Sequence, residues 1–201
     1  MILSLLRPAG ALLLRVGHRG AKGHAPENTL SSFVIAAEMG VNVIETDVHL
    51  SKDGELVLIH DHTVQRTTDG HGYVKDMTLA ELKKLDAGSW YGARFAGERI
   101  PTLDELLAWA RDRVAVAIEI KNGPIYYPGI AEKIIAALYC HDMTRRAILI
   151  SFDHRVVREA KALASEVLTG ILYVGRLADP VAAAHAARAD ALHPQWAYIT
   201  G

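Results

Sequence analysis

Five side chains in this sequence have the types and spacing of a reaction centre. Glu45 and Asp47 stand two residues apart in the apolar run Val43 to Leu50. In a strand, that spacing puts both side chains on one face. Glu119 lies near the end of a second such run, Ala115 to Ile120. A buried carboxylate must be neutralised, paired or bound to a cation. One such residue alone would ordinarily pair with a nearby Arg or Lys. An i, i+2 pair joined by a third carboxylate from another strand end points instead to a metal. All-oxygen ligands suit Mg²⁺ or Ca²⁺ rather than zinc.

His18 and His60 each close a strand-like segment. Splitting a phosphodiester needs a base to deprotonate the nucleophile and an acid to protonate the leaving alkoxide. Histidine suits both tasks because it titrates near neutrality. Arg19 directly follows His18, and a guanidinium can clamp phosphate oxygens with two hydrogen bonds. Lys121 shares the strand face of Glu119, where it would balance the carboxylates and hold phosphate charge. The set reads as metal-assisted phosphodiester hydrolysis. His49 shares the face of Glu45 and Asp47 but is read as structural. His24, His62, His71, His141, His154 and His185 are given no role.

These residues need elements to position them, and the chain supplies alternating strand and helix patterns. Ala11 to Gly17, Val43 to Leu50, Val114 to Ile120, Ala147 to Ser151, Leu168 to Tyr173 and Ala191 to His193 read as strands. Leu30 to Met39, Thr102 to Ala110, Ile130 to Tyr139, Arg155 to Ala164 and Pro180 to Ala187 read as helices, several with a Thr, Asn or Asp cap. Asp53-Gly54 signals a hairpin that returns through Leu56 to His60. From about Gln65 to Arg99 the alternation breaks, with one helical piece from Leu79 to Leu85, as an insertion on a rim would. Repeated strand–helix units predict a parallel sheet covered by helices.

Such a sheet can stay open and doubly wound or close into a TIM (β/α)8-type barrel. An open sheet gathers its ligands at one switch point, whereas a barrel collects residues from many strand ends onto one face. His18, Glu45, Asp47, Glu119 and Lys121 come from three strand ends, which favours the barrel. We therefore expect one α/β domain over residues 1–201, a barrel with a small insertion at about 65–100 after the second strand. About six core strands are present where a barrel has about eight over roughly 250 residues, so truncation at the C-terminus is expected.

Half of the 201 residues are hydrophobic and 22% are charged, a composition that argues against disorder. With 22 basic and 23 acidic residues the charge is balanced, and no nucleic-acid footprint is expected. The single cysteine, Cys140, excludes an internal disulfide. The apolar start, Met1 to Leu14, is broken by Arg7 and Pro8 and reads as a lead-in to the first strand rather than a signal peptide. Hence a cytoplasmic location and no stable membrane insertion are expected.

The ordered motifs resemble those of the glycerophosphodiester phosphodiesterases. They are Gly17-His18-Arg19-Gly20, Pro26-Glu27-Asn28-Thr29, Glu45-Thr46-Asp47-Val48, Ser51-Lys52-Asp53-Gly54, His60-Asp61, Arg66-Thr67-Thr68, Ile100-Pro101-Thr102-Leu103 and Glu119-Ile120-Lys121. The resemblance covers Val16 to Ser151 closely and extends loosely to His193. It implies a TIM barrel with an insertion after the second strand. It implies a divalent cation at Glu45, Asp47 and Glu119, acid/base roles for His18 and His60, and phosphate contacts from Arg19 and Lys121. The implied reaction releases glycerol 3-phosphate and an alcohol. Phe152 is then read as an apolar wall for the glycerol moiety, with ordinary packing as the alternative. Glu27 and Asn28 are read as holding the first loop and helix start.

Family members continue past the segment resembling Leu192-His193-Pro194 with further strand–helix units, so an oligomeric partner covering the barrel gap is a further expectation. Two other readings use the same residues. One is a lysophospholipase D, acting on a substrate with one acyl chain. The other is a truncated, non-catalytic phosphoester-binding protein.

Overall fold

The computed structural model describes residues 13–199. A curled sheet runs in the order β1-β2-β4-β5-β6-β7, with β3 attached to β2. The strands are β1 Val16–Gly17, β2 Val43–Leu50, β3 Leu56–Leu58, β4 Ala115–Ile120, β5 Ala147–Ser151, β6 Leu168–Tyr173 and β7 Ala191–Pro194. Neighbours along the main path are parallel, and β3 alone runs antiparallel. The helices are α1 Leu30–Glu38, α2 Leu79–Leu82, α3 Leu103–Ala110, α4 Ile130–Cys140, α5 His154–Leu163 and α6 Pro180–Ala187. This is the α/β arrangement of a TIM-type barrel, here with six parallel strands among the described residues. No described helix is long and apolar enough to cross a membrane.

The two faces of the sheet carry different chemistry. Ile44, Val48, Val116, Ile118 and Ile120 pack outward with Phe33 of α1, Leu106 and Leu107 of α3, and Ile134 and Leu138 of α4. Val43, Ala115, Ala117, Ile148, Ile150 and Leu168 form a separate inner cluster. Alternation along a strand then sends the odd-numbered residues of β2 and β4 inward. Glu45, Asp47 and Glu119 are among them.

Local signals set the helix starts. Thr29 caps α1 by accepting from the Ser32 amide. Thr102 with Glu105, and Thr78 with Glu81, form reciprocal capping boxes on α3 and α2. Asp153 caps α5, and Asp179 caps α6 just before Pro180.

Two elements, β1 and α2, fall well short of the sequence pattern. Of the expected strand Ala11 to Gly17, residues 11 and 12 lie outside the described part, and only Val16 and Gly17 pair with β2. The Arg15 amide donates to the Asn42 side chain, which replaces the next ladder bond. Helix α2 stops at Leu82 rather than Leu85. There Lys84 and Leu85 donate three residues back, to Glu81 and Leu82, and tighten the chain into turns.

Between β3 and α3 the chain makes an excursion over the rim. It has its own apolar cluster of Val57, Ile59, Val64, Val74, Leu82, Ala87 and Ile100. Asp86 organises its far end by accepting from the amides of Gly88, Ser89 and Gly97. Those bonds hold its carboxyl well below the usual range.

Candidate active site

The inward residues of β2 and β4 meet at the C-terminal ends of the strands. Asp47 and Glu119 are direct cross-strand partners. One carboxylate oxygen each from Glu45, Asp47 and Glu119 lies within 4.8 Å of the others. Burial, then the charges of Asp47 and Glu119, push the Glu45 carboxyl up to about 8. Burial also raises Glu119, with Asp47 adding to the shift against the opposing pull of Lys121. For Asp47 burial acts upward too, but Lys121, His60, Asn28 and Arg19 outweigh it and hold the carboxyl down. The cluster thus holds more carboxyl groups than it can readily ionise without a further positive charge. Asp47 Oδ1 accepts no hydrogen bond, although Lys121 Nζ lies 3.0 Å away as an ion-pair partner. Converging buried carboxylate oxygens that share one ammonium between Asp47 and Glu119 fit a hard divalent cation.

The loop after β1 brings His18 and Arg19 to this cluster. Arg19 is left-handed, with φ 54°, so its amide turns inward and donates to Glu45 Oε2 at 2.8 Å. Its guanidinium donates to Glu27 Oε1 at 2.9 Å, and Nε lies 3.4 Å from Asp47 Oδ2. His18 Nε2 lies 3.8 Å from Glu45 Oε2. Burial, followed by the positive charges of Lys22 and Arg19, drives the His18 pKa down to about 4.

Gly20 makes this turn possible, with φ 79° and its α-carbon hard against α1. A Cβ there would sit 2.4 Å from Ser32 Oγ and 2.8 Å from the Ser32 carbonyl carbon. Gly20→Ala should therefore cost about 1–3 kcal/mol in urea denaturation, a strain-sized loss. An unchanged midpoint would show that the turn relaxes without cost.

His60 arrives from the opposite side through the β2–β3 hairpin. Its Nδ1 lies 2.6 Å from Asp61 Oδ1. Asp61 in turn accepts from Arg66 Nε at 2.7 Å, and Arg66 donates to both oxygens of Glu27. His60 is also near enough to His18, Asp47 and Glu119 to bear on their titration. Charges of alternating sign therefore run from Asp61 through Arg66 and Glu27 to Arg19 and Asp47.

Lys121 Nζ lies 2.6 Å from Glu119 Oε1, and these carboxylates raise its pKa despite burial. Beside it opens a cleft of about 330 Å³ lined by Glu119, Lys121, Asn122, Tyr126, Phe152 and Asp153. Phe152 is 54% exposed on that cleft, so it is not a core packing residue. Seven of the eight residues singled out from the sequence thus lie at the triad or along this cleft, and His60 lines a neighbouring pocket with Glu27 and Asn28.

Several partners were not legible as such. Asn28, left-handed at φ 56°, donates through Nδ2 to Asp47 Oδ2 at 2.9 Å and accepts from Thr46 Oγ1 at 2.7 Å. It holds a triad residue as well as the loop. Asp61 and Arg66 stood in recognised motifs, but only the fold joins them to Glu27. Buried His49 bonds to the His60 carbonyl and to Tyr127, and burial lowers its pKa to about 4.

Arg66 gives this network a signature in pH. Its hydrogen bonds, with those of His60, hold Asp61 far below its ordinary value; Glu27 is held down by Arg66 and Arg19 against its burial. Depressed carboxyls contribute stability above their unfolded pKa and lose it as pH falls through the folded one. Arg66→Met should therefore show its largest Tm deficit near neutrality, shrinking below about pH 4. A deficit that does not vary with pH would place the loss in packing.

The comparisons with known proteins agree with this geometry. Residues 18–200 match the glycerophosphoryl diester phosphodiesterase family. The chain is 48% identical over 182 residues to a glycerophosphodiester phosphodiesterase of Caldanaerobacter subterraneus subsp. tengcongensis, covering 90% of this chain and 75% of that protein. It is 45% identical over 157 residues to a putative glycerophosphodiester phosphodiesterase of Bacillus subtilis, covering 78% of this chain and 64% of that one. Among solved structures, an Oleispira antarctica phosphodiesterase in complex with the product sn-glycerol-3-phosphate superposes with a TM-score of 0.82 at 34% identity. It covers 94% of this chain and 77% of that one. With the family matched across nearly the whole sheet and the triad in place at its strand ends, the chain belongs to the glycerophosphoryl diester phosphodiesterase family.

Proposed function

We propose that this chain hydrolyses glycerophosphodiesters to glycerol 3-phosphate and an alcohol, with Glu45, Asp47 and Glu119 holding Mg²⁺ or Ca²⁺. The observation that carries the reading is the convergence of three buried carboxylates beside His18, with His60 following the Ile59 amide that bonds the Asp47 carbonyl. A bound divalent cation would draw charge from the phosphoryl oxygens in the transition state.

The remaining work falls to the chain. His18, half-exposed but held below its usual range by partial desolvation and by the charges of Lys22 and Arg19, is suited to take the proton of the nucleophile. Asp61 engages Nδ1 of His60, which leaves Nε2 to protonate the leaving alkoxide. Arg19 holds phosphate oxygens beside the triad. Lys121, paired with Asp47 and Glu119, turns part of its charge to the phosphate when those carboxylates engage a cation. Phe152 offers the glycerol carbons an apolar wall across the cleft.

The test is hydrolysis of glycerophosphocholine by the folded chain, followed as glycerol 3-phosphate release. Turnover should vanish in EDTA and return with excess Mg²⁺ or Ca²⁺. Metal-independent turnover, or none in a well-folded sample, would overturn the reading.

A further inference from the structure

His49 is 3% exposed, and both of its ring nitrogens are engaged. Nε2 lies 3.2 Å from the main-chain oxygen of His60, and Nδ1 lies 3.0 Å from the Tyr127 hydroxyl. A carbonyl only accepts, so Nε2 carries the proton. In the neutral ring Nδ1 then accepts, and Tyr127 donates. A single tautomer satisfies both bonds.

The two partners belong to different walls of the site. His60 follows β3. Tyr127 belongs to the loop after β4, whose Lys121, Asn122 and Tyr126 line the cleft. That loop is itself stitched down. The Tyr127 amide donates to Asn122 Oδ1 at 2.7 Å, and Asn122 Nδ2 donates to Asp153 Oδ2 at 2.7 Å. The His60 ring is fixed separately by Asp61, so His49 acts on the peptide that carries the ring.

We propose that His49 is a positioning residue for the hydrolysis: it clamps the main chain of His60 to the loop after β4, fixing the imidazole relative to the phosphate-binding side of the cleft. The inference rests on the acid/base reading of His60. Its effect should fall on kcat, because a misplaced proton donor leaves substrate binding intact while spoiling the geometry of the reacting state. A core residue that only packs would instead lower stability and leave kcat per folded molecule unchanged.

The experiment compares His49→Leu, His49→Gln, Tyr127→Phe and His60→Ala, each saturated with Mg²⁺. It measures kcat and KM for glycerophosphocholine together with Tm. His49→Leu, which cannot donate, should lose about tenfold or more in kcat with KM within about twofold. His49→Gln, whose Nε2 can reach the same carbonyl, should recover most of that loss. Tyr127→Phe should lose less than His49→Leu, because the bond to His60 remains. Wild-type kcat in folded His49→Leu overturns the inference, as does an equal kcat loss in the Leu and Gln variants. If His49→Leu does not fold, wild-type kcat in Tyr127→Phe overturns it instead. Unimpaired turnover in His60→Ala strikes the acid/base reading itself, which separates the two failures.

Discussion

Asp47→Ala is expected to weaken divalent-cation binding by more than about a hundredfold, beyond what losing an outer-shell partner costs, and to remove hydrolysis with it. Asp47 is fully buried in the triad, and it is the one triad carboxyl whose surroundings lower its pKa rather than raise it. It also leaves the Asn28 amide and Lys121 without their shared acceptor. Glu45→Ala should act in the same direction. Isothermal titration with Mg²⁺ measures this directly, and unchanged affinity in either variant would contradict the assignment of the triad.

The same site predicts a pH dependence with a definite sign. With its pKa raised to about 8, cation-free Glu45 is protonated at neutral pH. A cation must displace that proton, so apparent affinity should fall as pH drops below about 8, by up to about tenfold per unit. The rise in Tm on adding Mg²⁺ should accordingly be larger at pH 8.5 than at pH 6. Glu45→Gln should flatten that difference.

The second large effect concerns the histidines. His18→Ala and His60→Ala should each lower kcat by about 10²–10⁴, the usual contribution of a positioned proton-transfer group. Neither is among the triad carboxylates, so cation affinity should stay near that of the parent. The reasons for the two losses differ. His18 stands beside Glu45 on the turn set by left-handed Arg19, and its removal takes away a neutral imidazole. His60 is held through Asp61 and Arg66, so Asp61→Asn should reproduce part of its loss while leaving the ring in place. Turnover near the parental rate in either alanine variant would remove that histidine from the reaction.

Much of this was legible because strand alternation is local. Glu45, Asp47 and Glu119 interrupt apolar runs whose Ile44, Val48, Ile118 and Ile120 face the helices, and that contrast is visible in the sequence. The Thr102 cap of α3 is contained within four residues, so it too could be read directly. What could not be read depends on contacts across the chain. Asn28 looks like a helix-start residue, and only its left-handed backbone turns it 19 residues away onto Asp47. Arg66 meets Glu27 across 39 residues, through an excursion with no periodic signal. His49 has the face of a ligand, yet the hairpin return places the His60 carbonyl against its ring, and the loop after β4 places Tyr127 there.

That hairpin return also acts as a ruler. β2 and β3 pair Val48 with Leu58 and Leu50 with Leu56, and the next amide, Ile59, donates to the Asp47 carbonyl. The length of the turn at 51–55 therefore decides which residue arrives next to Asp47. A gain or loss of one residue there would slip the register and exchange the inward and outward faces of the returning strand. Ile59 after a gain, or Asp61 after a loss, would then stand where His60 does. In this part of the molecule, loop length constrains the site as strictly as residue identity.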